Sequence, residues 1–157
     1  MNEVISEQLI DLNIVAHSKK EVFEKLSLLL VKDGRLKDYD AYIAQVLERE
    51  KVATTGVGFG IAIPHGKTDA VKDVSVAIGK LAAPMEWDSL DGKKVQMIFL
   101  LAVPEKSKGD EHLRILSELS RKLIHQDFRN RLFESTDGRE VVELIGDTLN
   151  KKLEASV

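Results

Sequence analysis

His65 closes the run GIAIPHG and has the most constrained setting of the four histidines in the chain. Pro64 fixes its own φ and biases Ile63 towards extended geometry, while Gly66 lets the chain turn or approach a ligand closely. This framing delivers an imidazole at the end of a short strand, where a loop is expected to begin. A neutral imidazole so placed is a nucleophile, provided one ring nitrogen is tied up as a donor and the other presents its lone pair outward. Gly56, Gly58 and Gly60 precede it in GVGFG, a spacing that matches neither the dinucleotide fingerprint nor the P-loop. Tight backbone packing is the expected reason for them.

Two more residues belong to the candidate chemistry. His112 falls at the expected start of a helix, where unpaired amides and the helix dipole favour an anion, with a hydrogen-bonded core histidine as the alternative. Arg49 falls in the last turn of an earlier helix, where a cation is favoured. Periodicity alone reads it as a solvated charge among Glu48, Glu50 and Lys51. His65, Asp69 and His112 are metal-ligand types, and a metal-dependent hydrolase would use His65 and His112. No two histidines share the three- or four-residue spacing of a helical metal pair, so neither a metal nor any other cofactor is expected. No serine has a nucleophile-elbow setting, and the absence of cysteine excludes thiolate catalysis, disulfides and cysteine-bound zinc.

Those side chains must be carried by a chain of 157 residues, which fits a single domain over 1–157 with a continuous core. Apolar residues make up 43% and charged residues 31%, the balance of a globular protein rather than a disordered one. The formal charge of -3, with both signs dispersed, lacks the basic footprint of a nucleic-acid binder. The start MNEVISEQLIDLN has no signal-peptide pattern, and the longest apolar run, Val95 to Val103, is too short to span a bilayer. The expected location is the cytoplasm, with no direct insertion into a membrane.

Helices are expected over about 19–33, capped by Ser18 and closed by Gly34, and over about 39–50, where Tyr39, Tyr42, Ile43, Val46 and Leu47 share a stripe. GIAIP is too short for a helix and suits a strand that stops at Pro64. VSVAIGKLA, from residue 74, alternates like a half-buried strand, Asp91-Gly92 marks a turn, and VQMIFLLAV reads as a strand covered on both faces. Further helices begin near Asp110 and Asp137. Interleaved strands and helices of this kind predict a layered α/β domain with helices on both faces of a sheet and sites at strand ends.

The segment EREKVATTGVGFGIAIPHG resembles the phosphorylation-site motif of the type-2 enzyme IIA (EIIA) domains of bacterial sugar phosphotransferase systems (PTS), the fructose and mannitol family. The likeness continues through MEWDSLDGKKVQMIFLLAVP and DEHLRILSELSRKL, from about residue 5 to 148. It implies a mixed sheet of about five strands with helices on both sides. It also implies a phosphocarrier whose histidine, His65 here, accepts a phosphoryl group from the small carrier HPr and passes it to enzyme IIB. Both would be protein partners, with a functional link to a membrane permease. His112, in the EHL motif, and Arg49, in the LxRE segment, match the family's supporting residues, and Thr54 has a supporting place in the motif. EWDSLDGKKV resembles the fructose type. Nitrogen-related enzyme IIA proteins share the histidine motif and regulate other proteins, which is the alternative role.

Overall fold

The computed structural model describes residues 3–107 and 111–155. Its central strand comes from the longest apolar run. Val95–Pro104 (β6) is buried along almost its whole length, because partners flank it on both edges and helices cover both faces. Its side chains divide by the twofold alternation of a strand. Ile98, Leu100 and Ala102 enter one core, while Met97, Phe99 and Leu101 enter the other. Each of the larger side chains contributes roughly 1.5–3 kcal/mol by its burial, so β6 is the keel of both cores.

Ser75–Met85 (β5) pairs antiparallel with β6 on one side. Beyond it Ile10–Ile14 (β1) adds a parallel edge strand. The expected half-buried character of VSVAIGKLA gives way here, since Val76, Ala77 and Ile78 are all buried between two helical layers. On the other side β6 pairs parallel with Ile61–Ala62 (β3), which in turn pairs antiparallel with Gly56–Gly58 (β2). The strand expected to stop at Pro64 does not leave the sheet. His65–Thr68 (β4) continues parallel to β6, with His65 opposite Leu101. The described sheet therefore has six strands where the family resemblance suggested about five. The proline is tolerated because only its missing N–H would be lost from a ladder, and its carbonyl still accepts from Leu101 N at 2.9 Å.

The first two helices cover one face. Lys19–Lys32 (α1) is capped by the Ser18 hydroxyl accepting from Glu21 N at 3.2 Å, and Gly34 follows its end at φ +72°. Tyr39–Val52 (α2) is capped in the same way by Asp38, which accepts from Ala41 N at 3.1 Å. Glu111–Leu123 (α3), Gln126–Glu134 (α4) and Gly138–Ala155 (α5) cover the other face through Ile115, Leu119, Leu132, Val141 and Ile145. The expected start of α3 at Asp110 lies outside the described residues. Asp137 does cap the beginning of α5, accepting from Glu140 N at 3.0 Å.

Tyr42 joins α2 to the sheet. Its fully buried hydroxyl donates to Leu101 O at 2.7 Å, and burial pushes the phenol well above its ordinary value. Replacing it, Tyr42→Phe, should cost about 1 kcal/mol in a denaturant titration at neutral pH. A folded-state value raised above the unfolded one means that Tyr42 stabilises the fold below about pH 10 and loses that contribution as the pH rises further. Part of the alkaline loss of stability should therefore vanish in the phenylalanine variant.

Candidate functional site

The Ile63–Pro64–His65 segment crosses between two short strands and is held from two directions. Ile63 N donates to Thr55 O at 2.9 Å, and Pro64 O accepts from Leu101 N at 2.9 Å. His65 begins β4, which pairs with β6 on one side, so the imidazole stands at a margin of the sheet and is half-buried. Its Nδ1 lies 3.2 Å from the Ile63 carbonyl oxygen. A carbonyl only accepts, so this bond puts the ring proton on Nδ1 and leaves the lone pair of the neutral ring on Nε2.

Gly66 explains how α2 comes so close to that segment. A Cβ at this position would lie 3.0 Å from Val46 Cγ2 and 3.1 Å from Tyr42 Cε1. Only a hydrogen there lets the helix sit directly on β4. Arg49 lies one turn beyond Val46 on the same side of α2 and is half-buried. Its Nη1 donates to Ala53 O at 2.9 Å, satisfying a carbonyl at the helix end. The guanidinium carries five N–H donors, so this bond orients it without exhausting its capacity for an anion.

The other sequence candidates fall as follows. Thr54 is tied to the loop after β5: its hydroxyl donates to Trp87 O at 3.0 Å and accepts from Gly56 N at 3.1 Å. His112 is the second residue of α3, and its side chain lies outside the described residues. Phe59, an exposed aromatic residue, lies just before β3, away from His65. There Gly60 O accepts from Gln96 N at 2.8 Å, about 16 Å along β6 from Leu101. Arg129 packs over its ring at 4.0 Å.

Sequence reasoning missed Glu50 and Thr55. The Glu50 carboxylate, with its side chain 8% exposed, accepts from Lys19 Nζ at 2.9 Å and from Thr55 Oγ1 at 2.6 Å. A signal was present, because Glu50 continues the helical stripe of Ile43, Val46 and Leu47, and a carboxylate on a buried stripe needs partners.

Residues 3–147 match the family model described as the phosphoenolpyruvate-dependent sugar phosphotransferase system, EIIA 2. The chain belongs to that family. As a PTS EIIA type 2 protein it is a phosphotransferase component, a phosphocarrier of the fructose and mannitol group. It is 42% identical over 142 residues to the PTS system fructose-specific EIIA component of Haloferax volcanii, covering 90% of this chain and 92% of that protein. It is 34% identical to the fructose-specific EIIABC component of Bacillus subtilis, but spans only 23% of that longer chain.

Among solved structures, the nitrogen regulatory protein IIA-Ntr of Neisseria meningitidis superposes with a TM-score of 0.82 at 34% identity, covering 90% of this chain and 95% of that one. The EIIA fold also recurs in the complex of enzyme IIA mannitol with phosphorylated enzyme IIB mannitol from Escherichia coli. That match has a TM-score of 0.76 at 24% identity, over 89% of this chain and 95% of that one.

The close seating of α2 on β4 gives a direct test. Gly66→Ala should destabilise the protein by roughly 1–3 kcal/mol, because the ring of Tyr42 is fixed by its hydroxyl and cannot retreat. Thermal or chemical unfolding measures it, and an unchanged midpoint would show that α2 is not tightly seated there.

Proposed function

We propose that His65 carries the phosphoryl group of this EIIA protein on Nε2, receiving it from the phosphohistidine of HPr and delivering it to a cysteine of enzyme IIB. In the first step the Nε2 lone pair attacks phosphorus and the N–P bond of the donor breaks. In the second the thiolate attacks and the electron pair returns to Nε2. The observation that carries this reading is the bond from Nδ1 to the Ile63 carbonyl, which directs the nucleophilic lone pair to the other nitrogen. It also favours the charged ring formed on phosphorylation, because the positive charge is shared with a nitrogen already donating to an oxygen.

Phosphoryl transfer asks the protein to align donor and acceptor and to balance charge on the phosphoryl oxygens. Arg49 is assigned the charge-balancing role, and His112 is assigned to orient the phosphoryl group. Thr54 supports the backbone beside them through its bond to Trp87 O. No metal is required by this scheme. HPr and enzyme IIB must reach the same imidazole in turn, so their footprints overlap and each association is transient. The place of action is the cytoplasm, beside a membrane permease; no helix among the described residues is long and apolar enough to cross the membrane itself.

The preferred substrate system is of the fructose type, supported by the 42% identity to a fructose-specific EIIA component. The similarity to IIA-Ntr favours a second reading, in which phosphorylation of the same histidine controls binding to other proteins. Membranes carrying a fructose-type permease separate the two. Phospho-protein should support sugar phosphorylation under the first reading and none under the second.

Incubation with enzyme I, HPr and phosphoenolpyruvate should place one acid-labile phosphate on the wild-type chain and none on His65→Ala. Transfer to the alanine variant would refute the assignment. Arg49→Ala and His112→Ala should remain folded and slow transfer by about 10²-fold, the usual effect of removing one transition-state donor. Unchanged rates in both would remove their roles.

A further inference from the structure

A chain of partly buried hydrogen bonds runs from α1 to the imidazole. It begins at Lys19, whose Nζ is 2.9 Å from Glu50 Oε2 and 5.2 Å from the centre of the Trp87 ring. The same carboxylate oxygen accepts from Thr55 N at 3.0 Å, and Oε1 accepts from the Thr55 hydroxyl at 2.6 Å. The hydroxyl has one proton, given to Glu50, and its oxygen accepts from Trp87 Nε1 at 3.2 Å. Every polar group in the cluster is thus donor to one neighbour or acceptor from another. A carboxylate withdrawn from water costs several kcal/mol unless paired, and here two N–H donors and a hydroxyl compensate it.

The placement of this cluster matters more than its own stability. Thr55 is held by three bonds through two of its groups: its N–H and hydroxyl donate to Glu50, and the hydroxyl oxygen accepts from Trp87. Its remaining polar group, the carbonyl, accepts from Ile63 N at 2.9 Å. Ile63 then presents its own carbonyl to His65 Nδ1 at 3.2 Å.

We propose that Glu50 and Thr55 are positioning residues for His65: they clamp the backbone of Ile63 and thereby hold the imidazole in the tautomer with Nδ1 protonated and the lone pair on Nε2. The consequence for transfer rate rests on the reading of His65 as the phosphoryl acceptor. The consequence for the tautomer does not. A purely structural cluster would alter stability when broken but leave the proton of the ring where it was.

Nitrogen-15 NMR of the imidazole, in the full chain at a pH where the ring is neutral, distinguishes the two. The wild type should show His65 protonated at Nδ1. Thr55→Val keeps the shape of the side chain but removes the hydroxyl. It should give a mixture of tautomers and slow phosphoryl transfer from phospho-HPr about tenfold, the scale seen when an outer partner of a functional histidine is lost. Thr55→Ser should restore both, and Glu50→Gln should fall between. A folded Thr55→Val protein with an unchanged tautomer and rate overturns the proposal.

Should Thr55→Val fail to fold, the wild type decides. The Ile63 amide must exchange slowly with solvent and His65 must be the Nδ1–H form; a fast-exchanging amide or an Nε2–H ring overturns the proposal equally. Wild-type protein that shows the expected tautomer and accepts no phosphate would uphold the positioning while refuting the carrier role.

Discussion

The bond from Leu101 N to Pro64 O carries the chain past a residue that normally ends a strand. Without it the segment after Ala62 would leave the sheet, and His65 would sit on a loop free to sample many orientations. With it, β4 continues parallel to the most buried strand of the protein and the imidazole inherits the rigidity of that strand. The arrangement exploits an asymmetry of proline: it cannot donate to a ladder but accepts normally. The two bonds on either side of it, at Ile63 and at Leu101, convert a breaker into a fixed pedestal.

Rigidity alone would not make such a histidine useful to two successive protein partners. The ring must also stay reachable, and a half-buried position at the margin of the sheet satisfies this while its backbone remains locked. Gly66 and Tyr42 let α2 approach from one side, and at the end of that helix Glu50 reaches the Thr55 backbone that holds Ile63 while Arg49 bonds Ala53 O. On the proposed reading one helix end supplies both a cation for an anionic ligand and a carboxylate that organises the neighbouring turn. This division of labour between adjacent residues suits a phosphocarrier, in which charge must be balanced without a metal and a water nucleophile must not be activated.

Much of this was legible in the residues. The first two helices, expected over about 19–33 and 39–50 and found at 19–32 and 39–52, the apolar central strand and the caps at Ser18 and Asp137 follow from periodicity and spacing, because each is a local signal. What escaped reading depends on partners distant in sequence. The continuation of the strand beyond Pro64 requires β6 to offer the N–H of Leu101, some forty positions later, which no local pattern encodes. β1 carries the mixed stretch IDLNI, whose asparagine and aspartate obscure its alternation. Thr54 has the place in the motif, whereas Thr55 is the residue whose every polar group is engaged with Glu50, Trp87 or Ile63. For His112 the resemblance supplies a role, and the start of α3 supplies a backbone position.

The central claim is that the phosphoryl group resides on one particular nitrogen. Nitrogen-15 and phosphorus-31 NMR of the protein phosphorylated by enzyme I, HPr and phosphoenolpyruvate reads that atom directly. The account predicts a single phosphorus coupled to Nε2 of His65, with Nδ1 still protonated. Phosphate on Nδ1, or on any other residue, would contradict it.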